Sequence, residues 1–190
     1  MTVSQFQNDL SFNGLTALYQ IAHLLASGQD LEIIMASILE ILEVQGGMQR
    51  GIITILSPDN DELAIDVARG ISETDKKKGK YRLGEGITGR VVATGRPIAV
   101  PTLNSEPTFL DKTGARKGLK HSDLSFICVP IKSGNLTVGA LSVDRIAVQD
   151  EQTLDGEVRF LEAVADLIAQ AVQERRRQYD RIHALEKENL

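Results

Sequence analysis

The sequence predicts an α+β domain, and three observations carry that prediction. Two amphipathic helical stretches open the chain, two hairpins of β-branched strands occupy its middle, and a long proline-free helical pattern closes it. Strands joined by tight turns pair antiparallel, so the sheet is expected to be antiparallel. At 190 residues and 42% hydrophobic side chains, the chain can bury one core of ordinary size.

The elements follow in order. Leu15, Leu18, Ile21, Ala22 and Leu25 recur at three- and four-residue spacing and mark one face of a first helix, which Ser27 and Gly28 end. Asp30 is placed to cap a second helix with the apolar stripe Leu31, Ile34, Met35, Ile38 and Leu42, stopped by Gly46 and Gly47. GIITIL (Gly51 to Leu56) and ELAIDVA (Glu62 to Ala68), joined by SPDND, form a hairpin in which Leu63, Ile65 and Val67 point inward. The next stretch, ISETDKKKGKYR, gathers Lys76, Lys77, Lys78, Lys80 and Arg82 and has too few apolar residues for a core stripe. A solvated surface element is expected there.

In LGEGITGRVVATGRPIAVP, Gly84 and Gly86 permit a tight entry, Ile87, Val91 and Val92 follow at helical spacing, and Gly95 ends a short helix before the strand IAV. From Thr102 to Lys120 the chain is irregular, with Asn104, Pro107, Gly114 and Gly118 as breakers and Phe109 and Leu110 as anchors. A loop of this length inside a compact domain points to a lid or mobile segment. SFICVPI (Ser125 to Ile131) and LTVGALSVD (Leu136 to Asp144), separated by KSGN, form the second hairpin. From about Asp150 to Leu190 the pattern is helical and too long to belong wholly to the domain.

Composition removes several function classes. The formal charge is 21 basic minus 26 acidic residues, or −5, with a pI near 5.3, so nucleic acid phosphates are not attracted and direct DNA binding is not expected. The single cysteine, Cys128, excludes an internal disulfide and a multi-thiolate metal site, which fits a reducing compartment. MTVSQFQNDLSF lacks the charged and apolar regions of a signal peptide, and no apolar run spans a membrane. A cytoplasmic location is expected.

In the last helix, Leu161, Val164, Ile168, Ala171, Arg175, Gln178, Ile182, Leu185 and Asn189 alternate three- and four-residue steps, a heptad register. Dimerisation of two parallel copies is expected through Leu161, Val164, Ile168, Ala171, Ile182 and Leu185. Asn189 falls at an a-type position that can fix register.

No catalytic arrangement emerges. Cys128 and His121 could be imagined as thiolate and base, but Cys128 sits in a hydrophobic strand, where a cysteine is a small core residue. His23, His121 and His183 show no metal-binding spacing, and GEGITG lacks the lysine and hydroxyl pair of a phosphate-binding loop. The chain is therefore expected to be neither an enzyme nor a metalloprotein, and to require no cofactor.

GEGITGRVVATGRPIAV followed by FICVPIKSGNLTVGALSVDR resembles the GAF family, from about Leu15 to Ala171. Within it, ITILSPDNDELAI, YRLGEGITGRVVATGRPIAVP and RFLEAVADLIAQAV resemble the sensor domain of nitrogen-fixation (NifA-type) transcriptional activators. The resemblance implies a central antiparallel sheet with the N- and C-terminal helices packed on one face, a loop-roofed pocket on the other, and an extended C-terminal helix. It also implies a division into a flexible N-terminus (1–12), a GAF domain (13–172) and a helical linker (173–190) toward an absent downstream domain.

The pocket implied by the family is lined by Ile87, Val91, Phe109, Phe126 and Cys128. An anionic effector such as 2-oxoglutarate would need cations, for which Arg82, Arg90, Lys117, Lys120 and His121 are available. Asp111 and Asp144 could instead read an amide, an amine or a purine. In such activators the sensor controls an ATPase that acts on sigma-54 RNA polymerase, through domains not present in this sequence. No cysteine precedes Cys128, so the N-terminal cysteine cluster of the alternative-nitrogenase activators is missing and an iron–sulfur sensor is not expected. The alternatives are a ligand-free docking or dimerisation module, for example for an anti-activator protein, and a methionine-sulfoxide reductase of the same fold. The last needs two or more redox cysteines.

Overall fold

The computed structural model describes residues 3–57, 61–146 and 150–188; side chains of the first and last helices are described from Gly14 to Leu25 and from Glu151 to Glu174, and at Arg177. Helices α1 (Val3–Leu25) and α2 (Leu31–Gly46) lead into strands β1 (Gln49–Leu56) and β2 (Glu62–Ala68). A one-turn helix α3 (Glu73–Lys76), strand β3 (Lys80–Arg82), helix α4 (Gly86–Thr94) and strand β4 (Ile98–Val100) follow. After a long loop come β5 (Leu124–Ser133), β6 (Leu136–Ile146) and α5 (Glu151–Glu188). Among the described residues the strands form one six-stranded sheet in the order β3-β2-β1-β6-β5-β4, and each neighbouring pair is antiparallel.

The local chemistry of α2 decides its limits. The Asp30 carboxylate accepts the Glu32 N–H at 2.9 Å, and Gly47, at φ +64°, closes the other end with its N–H directed to the Glu43 carbonyl. The face buried between these caps is Ile34, Met35, Ile38, Leu39 and Leu42. In α1 the buried face is turned from the one expected. Ala17 and Ile21 are buried, whereas Leu15 is 69% exposed and Ala22 is also exposed. The spacing rule locates a stripe but does not say which edge of it meets α2 and α5.

Of the segment 1–12, expected to be a flexible N-terminus, residues 3–12 have helical backbone within α1; residues 1–2 and the side chains of 3–12 lie outside the described residues. The central residues of the β1–β2 turn, Pro58 to Asn60, also lie outside them. The lysine-rich stretch contains more order than expected, because β3 pairs with β2 and turns Tyr81 inward to 8% exposure between exposed Lys80 and Arg82. Three residues with two charges show no usable alternation on their own; the edge of β2 supplies the pairing.

The sheet separates two cores. On one face α1, α2 and α5 bury Ile53, Ile127, Val129, Ile131, Leu141 and Val143 against residues that include Leu161, Val164 and Ile168. On the other, α4 and the loop after β4 cover Leu63, Phe126, Cys128 and Ala140. Strand side chains alternate in direction, so β5 feeds both cores residue by residue. Leu161, Val164 and Ile168 are 0% exposed within this single chain and Ala171 is half-buried. The first part of the heptad is thereby taken up by the chain's own sheet, and the side chains of Arg175, Gln178, Ile182, Leu185 and Asn189 lie outside the described residues. Among the described residues no helix is long and apolar enough to cross a membrane.

Candidate ligand pocket

Helix α4 is brought against the sheet by Gly89. A Cβ there would collide with the Arg82 carbonyl oxygen, and the Gly84 N–H reaches the Gly89 carbonyl at 2.9 Å. This contact sets Ile87, Thr88 and Val91 over the pocket face of β5 and β6. The roof is the loop after β4. Lys112 ties it down by pairing with Glu85 at 2.6 Å, donating to the Lys80 carbonyl at 2.7 Å and lying over the Tyr81 ring. Hydrogen bonding from Lys112, with that from the Arg82 N–H, holds the Glu85 carboxyl below its ordinary range.

Arg116 descends from this roof into the pocket. Its guanidinium is 3% exposed and grips Asp144 side-on, Nε donating to Oδ2 at 2.9 Å and Nη2 to Oδ1 at 2.8 Å. Nη1 donates to Asp111 Oδ1 at 3.2 Å, and the Arg116 backbone N–H caps the other oxygen of Asp111 at 3.0 Å. The rings of Phe109 and Phe126 lie 5.1 and 5.5 Å from the guanidinium carbon. Burial works to lower the Arg116 pKa, but the charges and hydrogen bonds of Asp144 and Asp111 outweigh it and raise the pKa above its ordinary value. Asp144, fully buried, is also paired with Arg50. The space left beside Arg116 is about 10 Å³, bordered by Thr54, Tyr81, Ile87, Thr88, Phe109 and Phe126. That is room for about one water molecule.

The residues named from the sequence divide sharply. Ile87, Phe109 and Phe126 line the cavity, Val91 and Cys128 are fully buried in the same apolar cluster, and Asp111 holds Arg116. His121 meets the edge of Phe109 with ring centres 6.4 Å apart. Arg82, Arg90 and Lys120 are exposed on the outer surface, Arg90 donating to Thr108 at 2.9 Å. Arg116 escaped the sequence reading. It lies in an irregular segment between Gly114 and Gly118, where neither helical nor strand periodicity marks an inward position.

The Cys128 thiol is pushed up to about 12 by burial, against a weaker opposing hydrogen bond from Thr88. It is therefore a core thiol, not an ionised nucleophile at neutral pH. Among the described residues no group of three or more histidine, cysteine or acidic side chains could hold a metal ion. A larger cleft, about 610 Å³, lies between α1, α2 and α5, on the opposite side of the sheet from the aromatic rings and the Arg116 network.

A model of the GAF domain family matches residues 30–172, three quarters of the chain and every described strand. The chain belongs to the GAF domain family. This GAF domain is 40% identical over 159 residues to the Nif-specific regulatory protein of Azospirillum brasilense, covering 83% of the chain and 25% of that protein. It is 36% identical over 160 residues to the nitrogen fixation protein VnfA of Azotobacter vinelandii, covering 84% of the chain and 30% of VnfA. The chain thus spans between a quarter and a third of the length of these relatives. In fold, the GAF domain is similar to the A. aeolicus nlh2 GAF domain, solved in an inactive state, with a TM-score of 0.78 at 22% identity, covering 87% of this chain and 99% of that one. It is also similar to a free methionine-R-sulfoxide reductase from Neisseria meningitidis, with a TM-score of 0.70 at 21% identity, covering 85% and 89% of the two chains. Both structural likenesses concern the fold.

Proposed function

We propose that this GAF domain is the regulatory sensor of a nitrogen-fixation-type transcriptional activator, without enzymatic activity of its own. The observation that supports this reading most is the division of labour along β5. Phe126 and Cys128 belong to the pocket core, and the intervening Ile127 and the following Val129 belong to the core shared with Leu161, Val164 and Ile168 of α5. A rearrangement in the pocket that moves β5 must repack α5, because close-packed cores change between discrete arrangements. In this reading α5 carries the change through residues 173–190, paired with a second copy, to a sigma-54-interacting ATPase.

The cavity of about 10 Å³ supports a second reading, in which the pocket stays closed and the input is contact with an anti-activator protein. Replacing the matching stretch of the Azospirillum brasilense regulatory protein by this chain tests the sensor function. A nitrogen-fixation reporter should keep its response to nitrogen supply; output that is constant, or equal to that without the stretch, refutes the sensor reading. Titration calorimetry of the isolated chain with 2-oxoglutarate separates the inputs. Saturable heat favours this dicarboxylate as the input, and regulated output without heat leaves protein contact or a ligand of different charge.

A further inference from the structure

We propose that the pocket of this domain is a receptor for a planar monocation, a guanidinium or amidinium group, and that Arg116 of the chain's own loop occupies it in the closed state. Three parts of the site match that chemistry independently. The Asp144 carboxylate accepts from Arg116 side-on through both oxygens, the geometry that a planar fork of N–H donors satisfies and an ammonium does not. Phe109 and Phe126 present their rings at 5.1 and 5.5 Å, as delocalised cations prefer. Asp111 takes the remaining edge at 3.2 Å.

The charge balance points to the same class. Arg50 and Arg116 face Asp111 and Asp144 in one network, two cations against two carboxylates. Removing the Arg116 guanidinium leaves one net negative charge around an apolar, aromatic space. A monocation restores neutrality, whereas a dicarboxylate adds to the imbalance. Arg50 stays with Asp144 when Arg116 departs, so the carboxylate remains anchored in the floor. The occupant is carried on a segment of the roof loop flanked by two glycines. Arg116 lies two residues from Gly114 and two from Gly118, at φ +70° and +82°, conformations that glycine adopts without strain. The same chemistry could come from two sources, the chain's own Arg116 acting as a latch or a free guanidino or amidino compound competing with it.

This inference deepens the sensor reading, but its test is made on the isolated chain and fails or succeeds independently of any regulatory output. Arg116→Ala leaves Asp144 and Asp111 facing an open space. Methylguanidinium at millimolar concentration and constant ionic strength should raise the Tm of that variant saturably, by about 3–5 °C. The double variant Arg116→Ala with Asp144→Asn should not respond. Equal shifts in the two, or no shift in the single variant, overturn the assignment.

A second variant keeps the test decisive if Arg116→Ala does not fold. Asp111, 18% exposed, can become Asn without opening a cavity, and amide exchange over residues 111–119 should accelerate about tenfold while β5 and β6 are unchanged. Unchanged loop exchange overturns the plug. Wild-type protein separates the two sources. Loop exchange accelerated by methylguanidinium supports the site with a free ligand as competitor; an unmoved wild type beside a rescued Arg116→Ala supports it with the chain's own arginine as occupant.

Discussion

Cys128, in the apolar cluster with Phe126, and Arg116, over the Phe126 ring, show how burial treats a neutral and a charged group differently. The thiol is fully buried and remains protonated, with Thr88 as a weak counterweight. The guanidinium keeps its charge because two carboxylates surround it. A direct consequence concerns labelling. Iodoacetamide at about pH 8 should leave Cys128 of the folded protein unmodified and react completely after unfolding in urea, since only the thiolate is nucleophilic. Rapid labelling of the native protein, read by intact mass, would contradict a core thiol. That Cys128 is buried was legible from its place in SFICVPI. That Arg116 is buried was not, because its inward course is set by Asp144, 28 residues further along the chain.

At the scale of elements, turn and cap chemistry was the most legible feature. Asp30, Gly47 and Gly95 each stand at the helix boundary that their side chain, or the lack of one, favours. The alternation of Leu63, Ile65 and Val67 likewise survives as buried positions separated by exposed ones. Contacts between elements were less legible. Gly84 and Gly86, not Gly89, were expected to shape the entry to α4, yet the missing side chain of Gly89 is what lets α4 rest on the Arg82 carbonyl. Gly89→Ala should therefore destabilise the domain by about 1–3 kcal/mol, the usual range for overpacking a close contact. Urea unfolding would show it, and a loss below about 0.5 kcal/mol, typical of an unconstrained surface site, would refute the contact's importance.

For the whole molecule, the long last helix carries one heptad register, and the chain's own core takes up its first part. Leu161, Val164 and Ile168 complete the core of this chain, so substitutions there test folding. Ile182 and Leu185, later in the same register, are the positions at which self-association is tested. Ile182→Asp combined with Leu185→Asp should lower the sedimentation coefficient to that of a monomer without lowering Tm. An unchanged coefficient would remove the paired-helix part of the proposed output.

The sequence by itself determined the kinds of element, most of their limits and the family, because periodicity, capping and turn residues act over a few neighbouring positions. Tertiary structure decided which stripe of α1 is buried, that Lys80–Arg82 becomes an edge strand, and that the first heptads pack on the chain's own sheet. It also decided the pocket. A buried charge can be tolerated only where opposite charges from distant segments converge on it, and Asp111, Arg116, Asp144 and Arg50 meet only after the sheet has brought β1, β6 and the loop together.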